Sequence, residues 1–183
     1  AGAPGASGDP TPTQAIAQLN AWRAQVGEQP VAPRDVAAWD AGCQDHNTYE
    51  QLGNGLTQFE VPGDPGYTRA GDLAGPDSVL AELIHPQSPP ADDALLPGPL
   101  WDGAVFHRAA LLEPRLADVG FSSSTFEATA AGVDAYTTWV CLWDQNLELE
   151  PFGAIAVDNA RTTPDLTLYP SPPNGAIDVP TTF

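Results

Sequence analysis

Few side chains in this sequence can do chemistry, and their spacing narrows what that chemistry would be. Three histidines occur, His46, His85 and His107. His46 stands one helical turn before Glu50, a spacing that lets an imidazole and a carboxylate share a proton or an ion, although such pairs are common on helices that do no chemistry. It also shares a stripe with Trp39 and Cys43, where a histidine is usually hydrogen-bonded inside a core. His85 precedes Pro86 and can end a helix favourably, its partial positive charge lying near the last carbonyl groups. His107 follows Trp101 and precedes Arg108, the place of an imidazole that caps or hydrogen-bonds in a turn. Ser122-Ser123-Ser124 follows an apolar run but lacks the Gly-x-Ser-x-Gly elbow that would present a nucleophile, so a serine hydrolase is rejected. Asp92 and Asp93 sit in a proline-rich stretch and read as solvated charge rather than a glycosidase pair. Cys43 and Cys141, the only two cysteines, lack the close spacing of metal or redox sites and read as a disulfide, which leaves no thiolate for a Cys-His mechanism.

The elements that must position these residues follow from local signals. Ala1 to Pro10 is small, polar and rich in Gly and Pro, a lead-in without a core. Residues 11–183 read as one domain. Thr11-Pro12-Thr13-Gln14 forms a capping box with proline at the first helical position, and Ile16, Leu19, Trp22 and Val26 follow on one face until Gly27. A second helix is predicted from about Asp35 to Leu52, carrying Val36, Trp39, Cys43, His46 and Glu50 on one stripe and ended by Gly53-Asn54-Gly55. Thr57 to Ala74 reads as an extended loop, and a short helix is expected from about Asp77 to Ile84, closed by Pro86. Pro86 to Pro99 reads as a surface excursion or lid, and another helix is predicted from Gly103 to Glu113. The periodicity then changes to short β-type runs at Val119 to Ser122, Ala135 to Trp143, Gly153 to Val157 and Leu166 to Tyr169. In the second of these, Thr137, Trp139, Cys141 and Trp143 alternate with Tyr136, Thr138, Val140 and Leu142, so both sides of that strand should be covered. Helices first and antiparallel strands later indicate an α+β fold with helices on two sides of a small sheet.

Composition limits the partners. The 183 residues carry a formal charge of −18, and all six positive side chains are arginine. Six scattered arginines cannot neutralise a run of phosphates, which argues against a nucleic-acid partner, and an anionic membrane surface is disfavoured for the same reason. No stretch reaches the roughly 18 consecutive apolar residues of a membrane span. The 17 Gly and 20 Pro make up about a fifth of the chain, loop-rich but below the level of low-complexity disorder. The sequence opens on Ala1 and contains no Met, and the expectation is that a signal peptide has been removed on export.

Leu19 to Arg23, Cys43 to Tyr49, Ala70 to Ala74, Trp101 to Arg108 and Leu111 to Phe121 stand in an order that resembles the CAP superfamily (cysteine-rich secretory proteins, antigen 5 and plant pathogenesis-related proteins) in its bacterial form. Leu19-Asn20-Ala21-Trp22-Arg23 with Gly27 is similar to the first-helix pattern LNxxR…G, and Cys43 to Tyr49 (CQDHNTY) follows in the second helix. Ala70-Gly71-Asp72-Leu73-Ala74 is similar to GENIA, and Trp101 to Arg108 (WDGAVFHR) to WxxSxxHR. Leu111 to Pro114 with Asp118 to Phe121 resembles LxPxxxxVGVG, and Leu168-Tyr169-Pro170, Asn174-Gly175 and Val179-Pro180 resemble a bacterial YPxxGxxxVP ending. The resemblance covers most of the chain and implies an α-β-α sandwich with a small antiparallel sheet between helices.

Complete members of that family place two His and two Glu around a cleft that can hold a divalent metal. Here His107 matches the second His, and Asp72 stands where the GEN motif has Glu, one methylene shorter. The first His falls near Thr57 or Gln58, poor ligands, and the second Glu falls close to His85. His85, Asp72 and His107 are thus the candidate zinc ligands, a set chemically possible for zinc but not the family's own. With His46, they are the candidate cleft residues. The resemblance implies a secreted, non-enzymatic binding module for a small hydrophobic ligand such as a lipid, or for an extracellular protein or cell-surface partner. The alternatives are a metal-dependent hydrolase around His107, with zinc-bound water as nucleophile and Asp72 or Glu82 as base, and a structural surface domain of a longer extracellular polypeptide.

Overall fold

The computed structural model describes residues 9–31, 37–86, 88–130 and 133–144. The first helix, α1 (Pro12–Gln25), starts as its sequence dictates. Gln14 N donates to Thr11 Oγ1 at 3.3 Å while Thr11 N donates back to Gln14 Oε1 at 2.9 Å, so two of the helix's orphan donors are satisfied reciprocally. Its buried face carries Ala15, Ile16, Leu19 and Trp22. Arg23 is buried there too, and its guanidinium donates to the carbonyls of Gln29 (2.8 Å), Leu111 (2.8 Å) and Glu113 (3.0 Å).

The second helix, α2 (Ala37–Tyr49), runs into a π-helical turn at Glu50–Asn54, where Gly53 adopts φ 106° and breaks the helical path. Asp35 and Val36 lie outside the described residues. Among the described residues the remaining α-helices are α3 (Arg69–Ala74) and α4 (Val105–Leu111). The strands β1 (Ser78–Pro86), β2 (Gly120–Ala130) and β3 (Val133–Trp143) form one antiparallel sheet in the order β1-β3-β2, with Leu80 and Ser122 flanking Cys141.

The central strand β3 is covered on both faces, as its two apolar sides require. Cys141 and Trp143 pack with Leu80, Cys43, Ala74 and Trp39 from the side of α2 and α3. Val140 and Leu142 pack with Val79 and Phe121 against Leu19 and Trp22 of α1 and against Leu95, Trp101 and Leu111. The Cys43–Cys141 disulfide (Cα–Cα 5.3 Å) ties α2 to β3, and the rings of Trp39 and Trp143 stack beside it at 5.3 Å. A polar seam joins α2 to β2. Phe121 N donates to Asp40 Oδ1 at 2.7 Å, Ser122 Oγ to Gln44 Oε1 at 3.0 Å, Gln44 Nε2 to Ser124 Oγ at 2.9 Å and Asn47 Nδ2 to the Ser122 carbonyl at 3.2 Å. The serine run therefore carries structure.

Three expectations are corrected. The segment expected as a helix from Asp77 to Ile84 is strand β1, which pairs with β3 and whose burial alternates with period two from Ala81 onward. The loop expected over Thr57 to Ala74 contains α3, whose first turn is capped by Thr68 Oγ1 accepting from Gly71 N at 2.9 Å. The stretch Pro86 to Pro99 does not stand off as a lid. A 3-10 turn, Asp92–Leu95, leaves both aspartates exposed and drives Leu95 into the core. The runs at Gly153 to Val157 and Leu166 to Tyr169 lie outside the described residues.

Candidate functional site

The candidate cleft residues divide between the two faces of the sheet. Asp72 lies in the first turn of α3, on the face where Ala74 packs with Leu80 and Cys141. His85 shares a face of β1 with Val79, Ala81 and Leu83 and so belongs to the side of the sheet opposite Asp72, where those three residues join the larger core. His107, in α4, sits on that second side with its ring tilted 53° to Trp101 at 6.3 Å. Among the described residues no three His, Cys, Asp or Glu side chains come together as a metal site. Asp72, His85 and His107 are all described, and they do not form the zinc set their sequence positions suggested.

Around His107 the surface has two characters. Its imidazole is half-buried, and burial pushes its pKa down, favouring the neutral ring. Arg108 next to it lies 3.8 Å from Asp102 Oδ1. Asp102 also borders an open hollow of about 290 Å³, lined by Gln18, Trp22 and Gln25 of α1 and by Gly98 and Pro99. One turn further along the chain, Val105 and Phe106 are exposed on α4. This combination offers an aromatic edge, two amides and a carboxylate, with exposed apolar side chains three and four residues further along the chain.

His46 is elsewhere, fully buried in α2 and committed at both ring nitrogens. Nε2 donates to the Thr57 carbonyl at 2.8 Å, since a carbonyl only accepts. Nδ1 lies 3.0 Å from Glu60 Oε1, and this contact is a hydrogen bond only with a proton on it, carried by an imidazolium or by a protonated Glu60. Glu60 Oε2 accepts from Thr68 N at 2.9 Å. Glu50, one turn after His46, lies 3.7 Å from Nε2 and accepts from Thr57 N at 3.0 Å through Oε1, while Oε2 is buried without a partner. Burial pushes the Glu50 carboxyl up to about 8, with Glu82 and Glu60 adding to the rise and the bond from Thr57 opposing it.

Glycine makes this packing possible. A Cβ on Gly75 would stand 2.5 Å from Cε1 of His46, and one on Gly71 would overlap the Glu60 carboxylate. Of these residues, His46 and Glu50 were visible as a stripe pair, and Thr57 matters through its backbone. Glu60 carries no periodic signal, because it reaches His46 from an irregular loop. Comparisons of the chain with models of known protein families, with curated proteins and with solved structures gave no match.

Proposed function

We propose that this chain is a CAP-like, extracellular, non-enzymatic binding module that takes a small, largely apolar ligand at the hollow between α1 and the chain leading into α4. The observation that carries the reading is the hollow itself, with Trp22, Gln18, Gln25 and Asp102 on its walls and exposed Val105 and Phe106 three and four residues after Asp102. An apolar body can rest on the exposed side chains while one polar end bonds to the amides or the carboxylate. The resemblance in sequence supports this class of function. So do the helices on both faces of the sheet and the buried disulfide, a bond that persists in oxidising compartments. The hydrolase alternative has less support, because its ligand set is split across the sheet.

The test uses a fluorescent sterol, dehydroergosterol, as probe and follows energy transfer from tryptophan. Saturable transfer is expected, with affinity falling about tenfold in Phe106→Ser through lost apolar contact. Absence of saturable transfer, or equal affinity in the two proteins, overturns the reading.

A further inference from the structure

Residues 55–61 are attached to the fold in an unusual way. Leu56, Phe59 and Val61 are 52%, 65% and 54% exposed, and Glu60 is the one buried residue of the segment. Its apolar side chains are largely exposed. Gly55 N donates to the Glu50 carbonyl at 3.3 Å and Thr68 N to Glu60 Oε2 at 2.9 Å, and the rest of its attachment is hydrogen bonds to groups on α2 and the π-helical turn that can gain or lose protons. The Thr57 peptide is gripped on both sides, its N–H by Glu50 Oε1 (3.0 Å) and its carbonyl by His46 Nε2 (2.8 Å). Glu60 is held by His46 Nδ1 at 3.0 Å, and Val61 N donates to the Tyr49 hydroxyl at 3.0 Å.

The charges around this grip are one-sided. Three carboxylates, Glu50, Glu60 and Glu82 of β1, bear on the site. The single basic group among its members is the His46 imidazole. From α2, Asp45 Oδ2 accepts from Thr68 Oγ1 at 3.1 Å, and within the loop Asp64 Oδ2 accepts from Tyr49 at 3.3 Å. From α3, Arg69 and Asp72 make no ion pair with His46, Glu50 or Glu60. From β3, Cys141 is in the disulfide and cannot titrate.

We propose that residues 55–61 form a strap latched by a proton on the buried Glu50 carboxyl, whose loss as the solution becomes more alkaline lets the strap lift from α2. A buried carboxylate with an unpartnered oxygen is costly to ionise, and two further carboxylates raise that cost. Ionisation of Glu50 therefore draws water to the site, and the exposed Leu56, Phe59 and Val61 offer the strap little apolar anchorage. The π-helical turn that carries Glu50, with Gly53 at φ 106°, supplies the backbone freedom beneath it. Opening exposes the His46–Glu50–Glu60 chamber to solvent. With the Glu50 pKa pushed up to about 8, opening is favoured progressively as the pH rises toward 8 and no further above it.

Amide hydrogen exchange on the full chain tests this, with rates corrected for the intrinsic effect of pH. Between pH 6 and pH 9 the Thr57 and Val61 amides should lose roughly a hundredfold in protection, because each pH unit below the Glu50 pKa favours opening about tenfold and the effect levels off above it, and they should stay far less protected than the Leu19 amide of α1, which opens only with the whole fold. Glu50→Gln, which mimics the protonated acid, should abolish the loss. Equal loss in wild type and Glu50→Gln, no loss in wild type, or Thr57 and Val61 amides as well protected at pH 9 as Leu19 overturns the proposal. Should Glu50→Gln not fold, the exposed Glu82→Gln decides. Removing its charge should move the midpoint of opening to lower pH, and an unmoved midpoint overturns the proposal.

Discussion

Arg23 illustrates how a single side chain can join distant parts of the chain. Its guanidinium leaves α1 and closes over the carbonyls of Leu111 and Glu113, the end of α4, while its Nε holds Gln29 beyond its own helix. A helix end with unsatisfied carbonyls is stabilised by such a cation. Arg23→Met keeps most of the apolar volume but strips three acceptors of their donor, and urea unfolding should show a loss of about 3 kcal/mol. Arg23→Lys should recover little, since one ammonium cannot reproduce the fork. At this scale the sequence was legible where periodicity speaks. His46 on the stripe of Trp39 and Cys43 is the hydrogen-bonded core histidine that such a position implies. Glu60 was not legible, because the loop that carries it has no period, and Asp72 misled, because its motif position says nothing about which face of a sheet it will occupy.

Among the elements, those with strong local signals formed where expected. Capping and face pattern defined α1, and two-sided apolar alternation defined β3. The error at β1 has a physical origin. Val79, Leu80, Leu83 and Ile84 satisfy helical spacing as well as strand spacing over so short a run, and pairing with β3 decides between them. Likewise α3 is too short for periodicity to show, and its one signal is the cap at Thr68. The connection between elements that most affects stability is Cys43–Cys141, which spans 98 residues. The Cys43→Ser, Cys141→Ser double variant should lose up to about 4–5 kcal/mol in urea unfolding, the upper end expected from restricting so long a loop in the unfolded chain. The far-ultraviolet dichroism of its folded state should match that of the wild type, because the seam between α2 and β2 does not depend on the sulfurs.

For the whole molecule, pH is the informative variable. Burial pushes Glu50 up to about 8 and Asp144 up to about 7, with Asp77 adding to the rise at Asp144. Both carboxyls thus hold protons more tightly in the folded protein than in the unfolded chain, where their ordinary values are 4.5 and 3.8. Their contribution to stability is complete below about pH 4 and is lost as pH rises through 7 and 8. The formal charge of −18 acts in the same direction, since repulsion among carboxylates grows as they ionise. Unfolding free energy measured in urea should therefore fall from pH 5 to pH 9 by an amount on the order of a few kcal/mol, with a shallower fall in Glu50→Gln.

The seam between α2 and β2 has a bearing on motion. Two apolar surfaces can slide past each other by fractions of an ångström with little change in energy. Asp40, Gln44 and Asn47, however, meet Phe121, Ser122 and Ser124 through hydrogen bonds that recur along the helix and strand like teeth. A small displacement of α2 would strain the whole row together, and a displacement by one strand residue would turn the serine hydroxyls away. The helix is therefore a fixed rail, and conformational change in this region falls to the chain that hangs from it.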